Sequence, residues 1–156
     1  VGNHIRPRVR VPENWNWPLG LSLAAEFGYQ QGNFSADTWT VEIRPIIDKR
    51  WGPWYLSFNP AFGRSLKGES TNRGFELSPS FKIRYDLTNT IAGGIEYYAS
   101  LGPFRGFDPF QKQRHQLFPA IDLNLGPQWE FNFGVGFGLT EETDRLLVKM
   151  ILGRRF

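Results

Sequence analysis

The stretch "DTWTVEIRPIIDKRW", residues 37–51, separates into two sets when every second residue is taken. Trp39, Val41, Ile43, Pro45, Ile47 and Trp51 form one set, and Thr38, Thr40, Glu42, Arg44, Asp48 and Arg50 form the other. From Thr38 onward only Ile46 and Lys49 break the sorting. Successive side chains of a strand point to opposite sides, so the pattern predicts a strand with one apolar and one charged face. A soluble sandwich turns such an apolar face into a core, whereas a membrane barrel turns it out to lipid. The direction in which the apolar face points therefore decides the fold.

The same separation recurs along nearly the whole chain. In "FELSPSFKIRYDL", residues 75–87, Phe75, Leu77, Pro79, Phe81, Ile83, Tyr85 and Leu87 oppose Glu76, Ser78, Ser80, Lys82, Arg84 and Asp86. "WPLGLSLAAEFGYQ" (17–30) and "WYLSFNPAFGRSL" (54–66) alternate in the same way. So do 91–101, 116–125, 129–139 and 145–156, while the opening segment sets Ile5, Val9 and Val11 against His4, Arg6, Arg8 and Arg10. The reading is all-β, with about nine strands of roughly 10 to 14 residues, longer than the ~5 to 6 usual in soluble proteins.

Two further features favour an outward apolar face. Trp39 and Trp51 bracket one apolar stripe, and Trp17 and Tyr29 bracket another; with Trp54 they are candidates for aromatic girdles at two membrane interfaces. Twelve residues at ~3.3 Å each, tilted by ~45°, rise roughly 28 Å, close to the hydrocarbon thickness of a bilayer. The opposite face carries both signs of charge among small residues, which suits a wet or salt-bridged lumen. Its candidate lining, and candidate selectivity residues, are Glu42, Arg44, Glu76, Lys82, Arg84, Glu96, Asp122, Glu130 and Lys149. The expected architecture is a transmembrane, antiparallel, up-and-down β-barrel forming one domain over residues 1–156.

Links between the segments alternate in length. "WGPW" (51–54), "LTNT" (87–90) and "LGPQ" (125–128) are tight, and read as periplasmic. Longer polar links at 30–37, 67–74, 102–115 and 140–144 read as extracellular. This alternation places Val1 on the long-link side and the C-terminus on the tight-turn side. A barrel normally has both termini in the periplasm and an even strand number, so further strands are expected upstream, together with a signal peptide that the opening "VGNHIRPRVRVP" does not contain.

Composition narrows the function. The 156 residues carry 18 Lys and Arg against 15 Asp and Glu, dispersed along the chain, so no nucleic-acid partner is expected. Zero cysteines exclude disulfides and thiolate metal sites. His4 and His115 are the only histidines and have no ligand spacing, so no metal or cofactor is expected. A Ser-His arrangement of His115 with Ser70 or Ser100 lacks a nucleophile-elbow context, and no enzyme activity is expected. The glycines of "GVGFG" (134–138) share one strand face, where they make room for bulky lumen side chains rather than cradle phosphate.

The final segment "DRLLVKMILGRRF" ends on the aromatic Phe156, which resembles the signal that hands outer-membrane proteins to the barrel-assembly machinery. Arg154 departs from that pattern, because an apolar residue is expected at its outward position. "SPSFKIRYDLTNTIAGGIEYYASLGPF" (78–104), "HQLFPAIDLNLGPQWEFNFGVGFGLTEETD" (115–144) and the terminal strand resemble the phenol-degradation MetA-pathway family of outer-membrane barrels. The resemblance covers roughly residues 38–156 and brings no catalytic motif. It implies a porin-like barrel of roughly twelve strands in the bacterial outer membrane. It also implies passage of small, hydrophobic or aromatic molecules, with outer-membrane lipids and the assembly machinery as partners. The alternatives are a non-conducting envelope barrel and a soluble β-sandwich or barrel that binds a ligand.

Overall fold

The computed structural model describes residues 2–126 and 128–154. Its eleven strands form one antiparallel sheet. The opening segment is two short strands, β1 (Gly2–Ile5) and β2 (Arg8–Arg10), both laid along β3 (Gly20–Gln30). They are interrupted at Pro7, which has no N–H to give to the ladder. Then follow β4 (Asp37–Trp51), β5 (Trp54–Gly68), β6 (Glu76–Asp86) and β7 (Ile91–Ser100). The two-residue β8 (Gly102–Pro103) carries β7 further along β6, and β9 (Arg114–Asn124), β10 (Trp129–Gly138) and β11 (Leu146–Arg154) complete the sheet.

The strands stand side by side in nine positions, β1-β3-β4-β5-β6-β7-β9-β10-β11, each antiparallel to its neighbour. These are the nine alternating segments of the sequence, with ends moved by a few residues. An incomplete or strained barrel, short of upstream strands, is the finer expectation; among the described residues β1 and β11 do not pair, and the sheet is open. Gly2 is opposite Gln30 at the long-link end, and Arg154 is opposite Trp129 at the tight-turn end. Val1, expected on the long-link side, and Phe156, expected to carry the assembly signal, lie outside the described residues.

Turn chemistry explains the tight end. β4 and β5 are joined by Gly52 and Pro53 alone, and Gly52 sits at φ +55°, a left-handed conformation that a side chain disfavours. At the other end the links are longer, and two contain 3₁₀ turns, Glu69–Arg73 and Phe110–Lys112. The 102–115 link is less polar than expected: Phe104, Phe107 and Phe110 are all half-exposed or more. Residues 11–19 make one longer connection at the tight-turn end, with a 3₁₀ turn at Glu13–Trp15.

Register fixes the two faces, because residues opposite each other in an antiparallel ladder share a side. The apolar sets lie together on one face: Leu23 and Phe27 of β3, Ile43 of β4, Phe58 of β5, Ile95 of β7, Ile121 of β9, and Val148 and Met150 of β11 are all exposed. The polar sets lie on the other, concave face, where Lys149 on β11 reaches Glu96 on β7 across two intervening strands. Among the described residues the ladder departs from parity at 37–40, where a bulge leaves Trp39 on the apolar face while turning Asp37 to the polar one.

What is buried is small or polar. The buried hydrophobic residues are Ala24, Ala61, Ala92, Ala99, Ala120 and Phe118; the buried polar ones include Ser22, Asp48, Ser57, Ser65 and Glu96. Phe118 lies on the concave face opposite Glu96 and fits because β10 has Gly136 beside it. A Cβ on Gly136 falls 2.3 Å from Phe118 Cε1. Gly136→Ala is therefore expected to destabilise the fold by about 1–3 kcal/mol, measured by equilibrium unfolding in detergent micelles, and Phe118→Leu in the same chain should recover most of the loss.

Candidate functional site

The concave face gathers the charged residues that alternation had sorted together. Glu42 shares a side with Gly63 and Glu76; Lys82 with Glu96 and Phe118; Arg84 with Gly94, Ala120, Gly134 and Lys149. Asp122 lies opposite Asn132, Glu130 opposite Asn124, and Arg44 opposite Ala24. All nine candidate lining residues are thus on one face.

At its centre is Glu96, only 3% exposed. One carboxylate oxygen lies 3.0 Å from Lys82 Nζ; the other takes the ammonium of Lys149 and the Tyr98 hydroxyl, which donates at 2.6 Å. Asn132 Nδ2 donates to Glu96 at 3.3 Å and to Asp122 at 2.7 Å, and Lys82 also pairs with Asp122 at 2.7 Å. Lys149 Nζ stands 5.4 Å from the Tyr98 ring centre and 5.6 Å from that of Phe118. The absent side chains of Gly134 and Gly136 leave the space through which Lys149 and Phe118 meet this cluster.

Towards the tight turns a second set of charges continues the site. Asp86 pairs with Arg50 and, at 3.2 Å, with Arg84, which also approaches Asp122 at 3.9 Å; on the long-link side, Arg44 pairs with Glu42 at 2.6 Å. The Tyr55 ring receives both guanidiniums, Arg84 at 5.2 Å and Arg50 at 5.7 Å. Between the two sets is a cavity of about 580 Å³, lined by Arg44, Tyr55, Lys82, Arg84, Glu96 and Lys149 among others. Arg44 Nε, Arg84 Nε and Asn132 Oδ1 are buried beside it without a hydrogen-bond partner in the protein.

The long-link end has its own polar knot. Arg73 joins Glu76 to Asp108, the latter at 2.6 Å, and these carboxylates hold its pKa above the ordinary arginine value. Asp37 accepts from Ser65 Oγ at 2.7 Å and from the Ser70 backbone N–H at 2.9 Å. His115 is on the opposite, apolar face, stacked between Tyr97 and Phe110 with ring centres 6.0 and 5.0 Å away. Its Nδ1 meets the Tyr97 hydroxyl at 2.5 Å and its Nε2 meets Gln113 Oε1 at 2.9 Å. Ser100 faces the other way, and Ser70 belongs to the Asp37 knot, so the structure does not bring a Ser-His arrangement together.

The girdle candidates sit on the apolar side. Trp51 and Trp54 oppose each other across the tight turn, with Tyr85 4.8 Å from Trp54, and Tyr29 and Trp39 are 4.9 Å apart near the other end. Trp17 precedes β3 rather than lying on it, and packs 6.3 Å from Trp15. Sequence reasoning left out Trp129, which begins β10 beside a tight turn as Trp54 begins β5; the outward Arg154 lies 5.4 Å from its ring. It also left out Tyr55, Tyr98, Phe118 and Asn132 on the concave face. The available signal was parity: each shares the alternation of Ser57, Glu96, Asp122 or Glu130 rather than that of the apolar set.

Among the described residues no three His, Cys, Asp or Glu side chains are placed to hold a metal ion. No helix among them is long and apolar enough to cross a membrane, which leaves open a crossing made by strands. Comparisons with protein-family models, curated proteins and solved structures return no match.

Glu96→Gln removes the charge that two ammoniums share. It is expected to cost on the order of 2 kcal/mol in micellar unfolding, less than a dry buried pair because both lysines reach solvent. Arg6→Gln, which breaks the exposed pair with Glu26, should cost below about 1 kcal/mol. Equal costs would mean that Glu96 is no more than one surface pair among several.

Proposed function

We propose that the chain is the wall of a porin-like, transmembrane antiparallel β-barrel of the bacterial outer membrane, whose polar face lines a path for small molecules. One observation carries this reading: the usual distribution is inverted, with large apolar side chains exposed on one face and ion pairs enclosed on the other. In water an uncovered sheet of this kind would expose an apolar surface far beyond the few hundred Å² that monomers tolerate. A soluble sandwich would cover it with a second sheet, and all described strands belong to one. Lipid supplies the missing cover. The Trp39 to Trp51 stripe rises ~28 Å at a tilt of ~45°, the thickness of the hydrocarbon layer.

The polar face supports a wet interior. Buried guanidinium and amide atoms without protein partners are costly unless water reaches them, and three of them border the 580 Å³ cavity. A cavity of that size falls within the range that holds small molecules. Solutes that are hydrophobic or aromatic, and assembly through the barrel-assembly machinery, belong to the same proposal and rest on the sequence resemblance alone.

A second reading, a non-conducting envelope barrel, is favoured by a specific observation. Arg44, Arg50, Lys82, Arg84 and Lys149, the cations lining the cavity, each have a carboxylate within 4.0 Å. Small barrels fill their interiors in this way. Planar-bilayer recording separates the two. A conducting barrel is expected to shift its reversal potential towards cation preference in Arg44→Glu with Arg84→Glu, whereas a persistent absence of conductance in the wild-type chain supports the closed form.

The membrane assignment itself is tested by partition and by face-selective substitution. Recovery of the chain as a stable monomer in detergent-free buffer would overturn it. Ile43→Arg or Ile95→Arg is expected to destabilise the bilayer-folded protein by ~2 to 4 kcal/mol, while Ser80→Arg on the polar face costs much less; the same penalty on both faces would reject the outward assignment.

A further inference from the structure

The cations that border the concave cavity are each paired with a carboxylate, but Arg64, at the long-link end of the apolar face, is not. Arg64 lies on the apolar side of β5, opposite Val41, with its guanidinium 5.8 Å from the Phe75 ring. Neither Arg64 nor Arg105 has an ion pair among the described residues. The surface beside Arg64 is aromatic. Phe104 packs edge-on against Phe62 at 5.6 Å and against Phe107 at 6.4 Å, and its backbone N–H bonds to the Phe75 carbonyl at 2.8 Å. Phe104 and Phe107 nevertheless stay 55% and 50% exposed.

This lip is held in place. The Asp108 N–H bonds to the Leu101 carbonyl at 2.9 Å, Gln113 Nε2 donates to the Asp108 carbonyl at 2.7 Å, and Arg73 ties the Asp108 carboxylate to β6 through Glu76. Phe110 closes over His115, whose ring nitrogens bond to Tyr97 and Gln113. The link therefore presents a fixed floor of phenyl rings beside the Arg64 guanidinium, which has no carboxylate of its own, and Arg105 follows Phe104 in the same link. Apolar rings below and unneutralised cations at the edge complement a molecule with hydrocarbon chains and an anionic head.

We propose that the lip of Phe62, Phe75, Phe104 and Phe107, edged by Arg64 and Arg105, seats a phosphate-bearing lipid of the outer leaflet, its acyl chains against the rings and its phosphate on the guanidiniums. The inference rests on the membrane reading above, and the test keeps the two apart. The intact chain is first floated with phosphatidylcholine vesicles, then analysed by native mass spectrometry in detergent with added phosphatidic acid or phosphatidylcholine. The expected result is flotation, with preferential retention of phosphatidic acid that falls about fivefold for each of Arg64→Ser and Arg105→Ser while flotation persists. Lys112→Ser, beside a separate cavity with Asp37 and Arg73, should leave retention unchanged. Failure to float overturns the membrane reading and this proposal with it. Flotation with equal retention of both lipids, or undiminished retention in the arginine variants, overturns the lipid seat alone. So does displacement of phosphatidic acid by inorganic phosphate at equal concentration, or a lipid-free dimer that the Phe104→Ser variant abolishes.

Discussion

The carboxylate of Glu96, enclosed on the concave face by two ammoniums and a phenol, is the interaction on which the arrangement of the site depends. An ionised carboxylate at 3% exposure is tolerable only when its charge is matched and its lone pairs are occupied. β6 supplies Lys82 from the neighbouring strand, but Lys149 comes from β11 over β9 and β10. Such a reach requires the sheet to curl towards its polar side, and it requires the intervening strand to be low. Gly134 and Gly136 provide that lowness, and Phe118 occupies part of the space they leave. The ion pairs, the glycine stripe and the curvature are thus one device.

The same curvature sends the large apolar side chains outward, where they diverge instead of packing. A sheet whose convex face carries Leu23, Phe27, Ile43, Ile95 and Val148 cannot bury them in its own interior, and the alanines and serines of the concave face leave no apolar core to stabilise it in water. Backbone hydrogen bonding makes the arrangement compatible with hydrocarbon, because each interior strand satisfies its N–H and C=O groups through both neighbours. The outermost strands β1 and β11 do not pair with each other among the described residues, so the described sheet is a wall with two edges.

The two ends of the wall differ in chemistry as well as in link length. At the tight-turn end, Trp51, Trp54, Tyr85 and Trp129 form an indole-rich rim with Arg154 against Trp129. At the other, phenylalanines of the 102–115 link replace most of the indoles and lie close to Phe75, whose ring carries the Arg64 guanidinium. Between them the polar cavity is bordered by balanced ion pairs rather than by charge of one sign.

The amino-acid order alone determined the strands and the faces, because a period of two is a local property of extended backbone: Phe75 to Leu87 alternates whether or not any neighbour is known. It also determined the tight turn at Gly52, where the sequence has a glycine for a positive φ, and the common side of the nine charged residues from Glu42 to Lys149. It did not determine which of those charges meet. That depends on stagger between strands and on curvature, which place Lys149 beside Glu96 although 53 residues separate them. Parity placed Tyr98 and Phe118 on the polar side, but not the partners they meet there, Lys149 above all. The bulge that turns Asp37 away from the face of Trp39 was hidden too, since a single extra residue inverts parity without changing composition. The phenylalanines of the long link could be seen in the sequence, but a link has no periodicity to assign them a side. Only the backbone bonds to β6, the ion pair of Arg73 with Asp108 and the stacking of Phe110 on His115 brought them to the apolar face.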